Sequence, residues 1–132
     1  MTSRQEIEQV LDRAYAARQR QDVAATLECF RSDGSFVSNG APAPARGTDQ
    51  CRSALAALFE TFTLLEFTPH CRVIDPPRAA VHWQGKFRAN PTGQVAAADI
   101  LDLIEVKDGK IASLTTFFDT ALAARLTTPK AG

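Results

Sequence analysis

Between residues 79 and 118 the chain alternates polar and apolar side chains in three runs, separated by two short turn sequences, Asn90-Pro-Thr-Gly93 and Lys107-Asp-Gly-Lys110. Side chains of a strand alternate faces, and turns this short join adjacent antiparallel strands. Residues 79–88, 94–106 and 111–118 are therefore predicted to form an antiparallel meander. In the first run Val81, Trp83, Gly85 and Phe87 share one face, and His82, Gln84, Lys86 and Arg88 share the other. Residues 65–75 add a strand before it, in which Pro69 marks an edge or a bulge. Pro76-Pro77 breaks the chain between the two.

The first half reads as mostly helical. Ser3 and Glu6 have capping-box spacing, and Ile7, Val10, Leu11, Ala14 and Ala17 repeat at helical intervals, with Tyr15 at the edge of that stripe. Arg18 to Gln21 reads as the polar end of this helix. Asp22 is a cap for a short second helix over 23–30. Asp33-Gly34 signals a turn, 35–38 a short strand, and the Pro- and Gly-rich stretch 39–47 a loop. Thr48 or Asp49 caps a third helix running to about Phe62, and Asp119 caps a tail helix over 120–126. Helices followed by hairpin-linked strands predict an α+β fold, an antiparallel sheet with helices on one face. A length of 132 residues suits a single domain, 1–132.

Fifteen basic and fifteen acidic side chains cancel. That balance gives no electrostatic footprint for nucleic acid or an anionic membrane, so neither is an expected partner. No apolar run reaches the length of a membrane span, and no signal sequence is recognised at the N-terminus. Cys29, Cys51 and Cys71 fit no zinc or redox motif and read as small buried or half-buried thiols of a reducing compartment, which makes a cytoplasmic location the expectation. With no nucleotide loop, nucleophile motif or metal cluster in the linear pattern, no cofactor or metal is expected.

One residue stands out for chemistry. In 95–104 the alternation puts Val95, Ala97, Asp99, Leu101 and Leu103 on one face. Four of those five are apolar, so Asp99 is an acid in apolar company, which must find a partner, hold a proton or perform a function. It is then either a structural acid bonded to a tyrosine, a tryptophan N–H or a buried water, or a pocket acid. Asp102, with Ile100 and Ile104, is assigned to the outer face. Eight phenylalanines and one tryptophan suggest an apolar ligand, aromatic or polycyclic. Trp83, Phe36, Phe59, Phe62, Leu101 and Phe118 are the candidate pocket wall, with Thr116 and Ser38 as candidate hydrogen-bonding groups.

Four segments resemble the nuclear transport factor 2-like superfamily and its ketosteroid isomerase-like and SnoaL-like branches. They are Ala14-Tyr-Ala-Ala-Arg-Gln-Arg-Gln-Asp22, Leu27-Glu-Cys-Phe-Arg-Ser-Asp-Gly-Ser-Phe36, Arg46-Gly-Thr48 and the stretch from Ala98 through Asp-Gly-Lys to Ile111. The resemblance implies a cone-shaped curved antiparallel sheet wrapped around a long N-terminal helix, a cystatin-like α+β barrel with a pocket at its open end. It also implies a homodimer through the outer sheet face. Ketosteroid isomerases pair an aspartate base with a tyrosine and a protonated aspartate that hold the oxyanion. Carried over by position, the oxyanion aspartate falls on Asp99, the base on Ser38 and the tyrosine on Ala14, with Tyr15 about 100° further round the helix. One match in three argues against that particular reaction. SnoaL-like cyclases use an aspartate and a histidine in the pocket, but His70 and His82 both have outer-face parity. The expected protein is a homodimer whose apolar cone binds a small organic molecule. As an isomerase or cyclase it would transfer protons on a carbonyl compound, with Asp99 as acid or hydrogen-bond donor and Tyr15 as helper. The alternative is a non-catalytic binding or assembly module in which Asp99 is structural.

Overall fold

The computed structural model describes residues 2–41 and 43–130; Pro42 of the predicted loop lies outside them. The first helix, α1 (Arg4–Gln19), begins where the Ser3 hydroxyl accepts the Glu6 N–H at 3.1 Å. A short α2 (Val23–Glu28) begins where Asp22 accepts the Ala25 N–H at 3.0 Å. Each cap satisfies an amide that has no partner within its helix. There follow β1 (Phe30–Ser38), β2 (Ala45–Arg46), α3 (Gly47–Thr61), β3 (Phe62–Asp75), β4 (Arg78–Ala89), β5 (Val95–Lys107), β6 (Lys110–Phe117) and α4 (Thr120–Thr127), the last capped by Asp119.

The six strands form one sheet in the order β2-β1-β6-β5-β4-β3, in which only β1 and β6 run parallel. The sheet curves around the helices. Ile7, Val10, Leu11 and Ala14 of α1 pack with Val81, Trp83, Ile100, Ile104, Ile111 and Leu114 from its concave face. None of the helices among the described residues is long and apolar enough to cross a membrane.

The predicted elements are present, with three local differences. The first strand starts at Phe30 rather than Ser35, because Asp33-Gly34 is a register slip against β6 instead of a turn. Gly34 is needed there: a Cβ would sit 2.9 Å from the Arg31 carbonyl oxygen and 3.0 Å from that of Ile111. Part of the predicted loop pairs as β2, and α3 starts directly at Gly47, whose φ of +79° suits glycine, without a side-chain cap from Thr48 or Asp49. Cys29 and Cys51 are buried as expected, but Cys71 is exposed. It lies on β3, an edge strand whose outer residues have no neighbouring layer, and Pro69 occupies that same edge.

Candidate functional site

Pairing with β4 decides which face of β5 looks inward. Trp83 lies opposite Ile100 and Val81 opposite Asp102, so Ile100, Asp102, Ile104 and Val106 face the core and Val95, Asp99, Leu101 and Leu103 face out. This reverses the expectation. Asp99 is not a pocket acid: its side chain is 70% exposed on the outer face, with Oδ1 3.0 Å from His82 Nε2. Leu101 is likewise removed from the pocket wall. The physical reason is that β5 is apolar on both faces, so alternation alone carries no sign.

Asp102 is the acid in apolar company, with no solvent exposure at all. Its Oδ2 accepts from the Tyr15 hydroxyl at 2.5 Å, Arg18 Nη1 at 2.9 Å and Trp83 Nε1 at 2.9 Å. Three donors converging on one oxygen is the pattern of an ionised carboxylate, since a protonated acid would itself donate. Tyr15 and Arg18 reach it together because residues three apart on a helix share a face. Burial raises the Tyr15 hydroxyl well above its ordinary value, and the neighbouring Asp102 charge adds to that. For Arg18 burial works against the charge, but Asp102 and then Tyr15 outweigh it, so the guanidinium is held even more firmly protonated than usual. The guanidinium also lies 5.3 Å from the Trp83 ring centre and 5.6 Å from that of Tyr15, within cation–π range. Asp102 Oδ1 is buried and has no partner among the described residues.

Above this cluster is a cavity of about 90 Å³. Its wall is almost wholly apolar: Phe59 from the end of α3, Phe62, Phe67, Phe87 and Ile100 from the sheet, and Leu122 and Leu126 from α4. Trp83 and Arg18 separate it from Asp102. The other polar groups on the wall are Gln21, Thr116 and Asp119. Gln21 is already used, donating to the Phe62 carbonyl at 2.7 Å and accepting from the Leu64 N–H at 3.2 Å. Asp119 accepts the Leu122 N–H at 3.0 Å as the cap of α4. Among the described residues only Nη1 of Arg18 is hydrogen-bonded to a protein acceptor, and Arg18 is one of the residues that line the cavity.

Of the residues singled out in the sequence, Trp83, Phe59, Phe62, Thr116 and Phe118 line this cavity. Phe36 is buried in the core away from it, and Ser38 pairs with Thr116 across the β1–β6 ladder without reaching it. Tyr15 lies behind the wall, bonded to Asp102. Sequence reasoning missed both Arg18 and Asp102: it read Arg18 as part of the polar end of α1 and placed Asp102 on the outer face. One available signal was the spacing of Arg18 three residues after Tyr15, on the buried side of α1.

The size of the cavity also corrects an expectation. About 150 Å³ of apolar space holds benzene, so about 90 Å³ does not admit a polycyclic ligand with α4 in place. That helix is held at its far end, where the Thr92 hydroxyl and Gln94 Nε2 donate to the Leu126 carbonyl and Gln94 also donates to the Thr128 carbonyl at 2.9 Å.

A curved sheet folded over a long helix, with an apolar cavity at its open end, defines the α+β cone class of proteins. Within that class the chain belongs to the SnoaL-like domain family, which matches residues 11–114. Solved structures share the fold over nearly the whole chain. An NTF2-like protein of Burkholderia xenovorans LB400 is 24% identical, with 97% of this chain and 100% of that one covered and a TM-score of 0.81. A protein of Jannaschia sp. CCS1, provisionally named a SnoaL-like polyketide cyclase, is 19% identical, with coverage of 98% and 99% and a TM-score of 0.83. A hypothetical protein of Catenulispora acidiphila with a ketosteroid isomerase-like fold, solved in complex with trimethylamine, is 13% identical, with coverage of 92% and 93% and a TM-score of 0.80. No curated protein matches the chain.

Proposed function

We propose that this protein binds a small, neutral, mostly apolar molecule carrying one acceptor oxygen, a carbonyl or a hydroxyl, which lies against Arg18. The half-engaged guanidinium of Arg18 in an otherwise apolar wall carries this reading. Asp102 compensates the charge from behind, so the cavity is offered N–H donors without a net charge. A neutral acceptor satisfies those donors, whereas an anion would bring an uncompensated charge into a low-dielectric site.

Proton-transfer chemistry fits less well. A tyrosine and an aspartate do meet, as in the ketosteroid isomerase arrangement, but at Tyr15 and Asp102. There the tyrosine donates to the aspartate and neither group lines the cavity. Among the described residues Asp119 is the one carboxylate on the wall, and it caps a helix. Binding is therefore favoured over an isomerase or cyclase reaction. Acetone, a ketone smaller than benzene and so in scale with the cavity, followed by amide and indole NMR tests the reading. Saturable shifts are expected at the Trp83 indole N–H, the Arg18 Nε–H and the amides around Phe62 and Phe118. Shifts confined to the outer sheet face, or no saturable shift, would overturn it.

The same reading includes a homodimer through the outer sheet face. That face exposes Val73 at 62%, Leu103 at 47% and Leu101 at 42%, together with Val95 and Phe117. An exposed apolar sheet surface of this kind is a frequent site of association. Light scattering at micromolar concentration is expected to give twice the chain mass, and Leu103→Glu is expected to give the single-chain mass. A monomeric wild-type protein would remove the dimer from the proposal.

A further inference from the structure

On the outer sheet face, three adjacent strands bring together two imidazoles and a carboxylate. His70 comes from β3, His82 from β4 and Asp99 from β5, and one ligand atom from each lies within 4.8 Å of the others. We propose that these three side chains form a binding site for a zinc ion, separate from the cavity on the opposite face of the sheet.

The donor set favours this assignment. Imidazole nitrogen with one carboxylate oxygen suits zinc, whereas magnesium and calcium prefer oxygen throughout. The spacing fits as well. His82 Nε2 and Asp99 Oδ1 are 3.0 Å apart, close to the roughly 3.3 Å edge of a tetrahedron with ligands about 2.0–2.1 Å from the metal. The His70 and His82 rings stack side by side, with centres 4.7 Å apart and planes 22° from parallel, so a modest side-chain rotation turns a nitrogen of His70 toward the same point.

The backbone holds the arrangement. β4 is hydrogen-bonded to both neighbours, with Cys71 opposite His82 on one side and Leu101 opposite it on the other. The register slip between Pro69 and Cys71 gives β3 one extra residue there, His70, on the side facing His82. Within one chain His70 and Asp99 are exposed and His82 is half-buried, which leaves room for the ligands to close and for water at the fourth position, so the dimer proposed above would pair through Val73, Leu103 and Phe117 and leave this cluster uncovered. The linear sequence hides the site because its ligands come from three strands.

Isothermal titration of zinc chloride into the full, tag-free and metal-stripped chain tests the proposal, with cobalt absorption as a second readout of tetrahedral geometry. One zinc per chain is expected. His82→Ala and Asp99→Asn are each expected to weaken binding by at least about tenfold, with circular dichroism unchanged because neither side chain belongs to the core. Cys71→Ser, beside His82, is expected to leave the affinity within about twofold, the difference expected when no metal ligand is lost. Absence of saturable binding, one zinc per two chains, unchanged affinity in His82→Ala, or loss of binding in Cys71→Ser would overturn it.

Discussion

Asp102→Asn is expected to lower the unfolding free energy by about 3–5 kcal/mol, the usual cost of removing one partner from a buried ion pair. Such a loss is large against a total stability of roughly 5–15 kcal/mol for a domain. The substitution keeps an oxygen for the Tyr15 hydroxyl and the Trp83 indole N–H but leaves the Arg18 charge buried without compensation. Adding Arg18→Met removes that charge and leaves an unbranched apolar side chain in an apolar wall. The amide nitrogen of the new asparagine then takes the place of Oδ1, which has no partner among the described residues of the wild-type chain either. Most of the lost stability is expected to return in the double variant, because two buried charges exchanged for neutral groups are often close to neutral in cost. Urea unfolding of the two single variants and the double gives the coupling directly. A loss below about 1 kcal/mol in Asp102→Asn, or a double variant worse than the sum of the singles, would show that the pair does not hold this core.

The elements were legible in the sequence, and the sign of one strand was not. Ser3, Asp22 and Asp119 cap the helices they were expected to cap, because a side-chain acceptor ahead of a helix satisfies an otherwise free amide. The β5 face failed because Ile100, Ile104 and Val106 on one side are matched by Val95, Leu101 and Leu103 on the other. Hydrophobicity cannot orient a strand that is covered by the core on one face and exposes an apolar surface on the other. The missing information lay in the neighbouring strand. Trp83 and Val81 alternate cleanly, and the turn places Arg88 opposite Val95. Counting back along the ladder from that turn sets Trp83 opposite Ile100, which sends Asp102 inward and Asp99 outward. The partner of Asp102 was harder to see. Arg18 sits among polar residues at the end of α1, and only the sheet curving over that end buries it at 8% exposure. The meeting of His70, His82 and Asp99 is a product of strand register, which no linear spacing records.

The double variant Arg18→Met/Asp102→Asn also isolates what Arg18 contributes to binding, since it removes the donors while leaving the apolar wall in place. A hydrogen bond to a charged donor is worth about 1.5–3 kcal/mol net, which corresponds to about 10–150-fold in affinity. Acetone is therefore expected to bind the double variant about 10–150-fold more weakly than the wild type. Isobutane, of the same size, has no acceptor, so its affinity is expected to change by less than about threefold, the scale set by small packing differences. The pair of ligands distinguishes two failures that one ligand would confuse. Equal weakening of both would mean that the cavity has collapsed around the new methionine, and a cavity-lining amide spectrum unlike the wild type would accompany it. An unchanged affinity for the ketone would mean that its oxygen does not face Arg18, and the half-engaged guanidinium would then be a structural group with no part in recognition. Loss confined to the ketone would establish Arg18 as the polar anchor of an otherwise apolar site, with Asp102 serving to make a buried cation tolerable there.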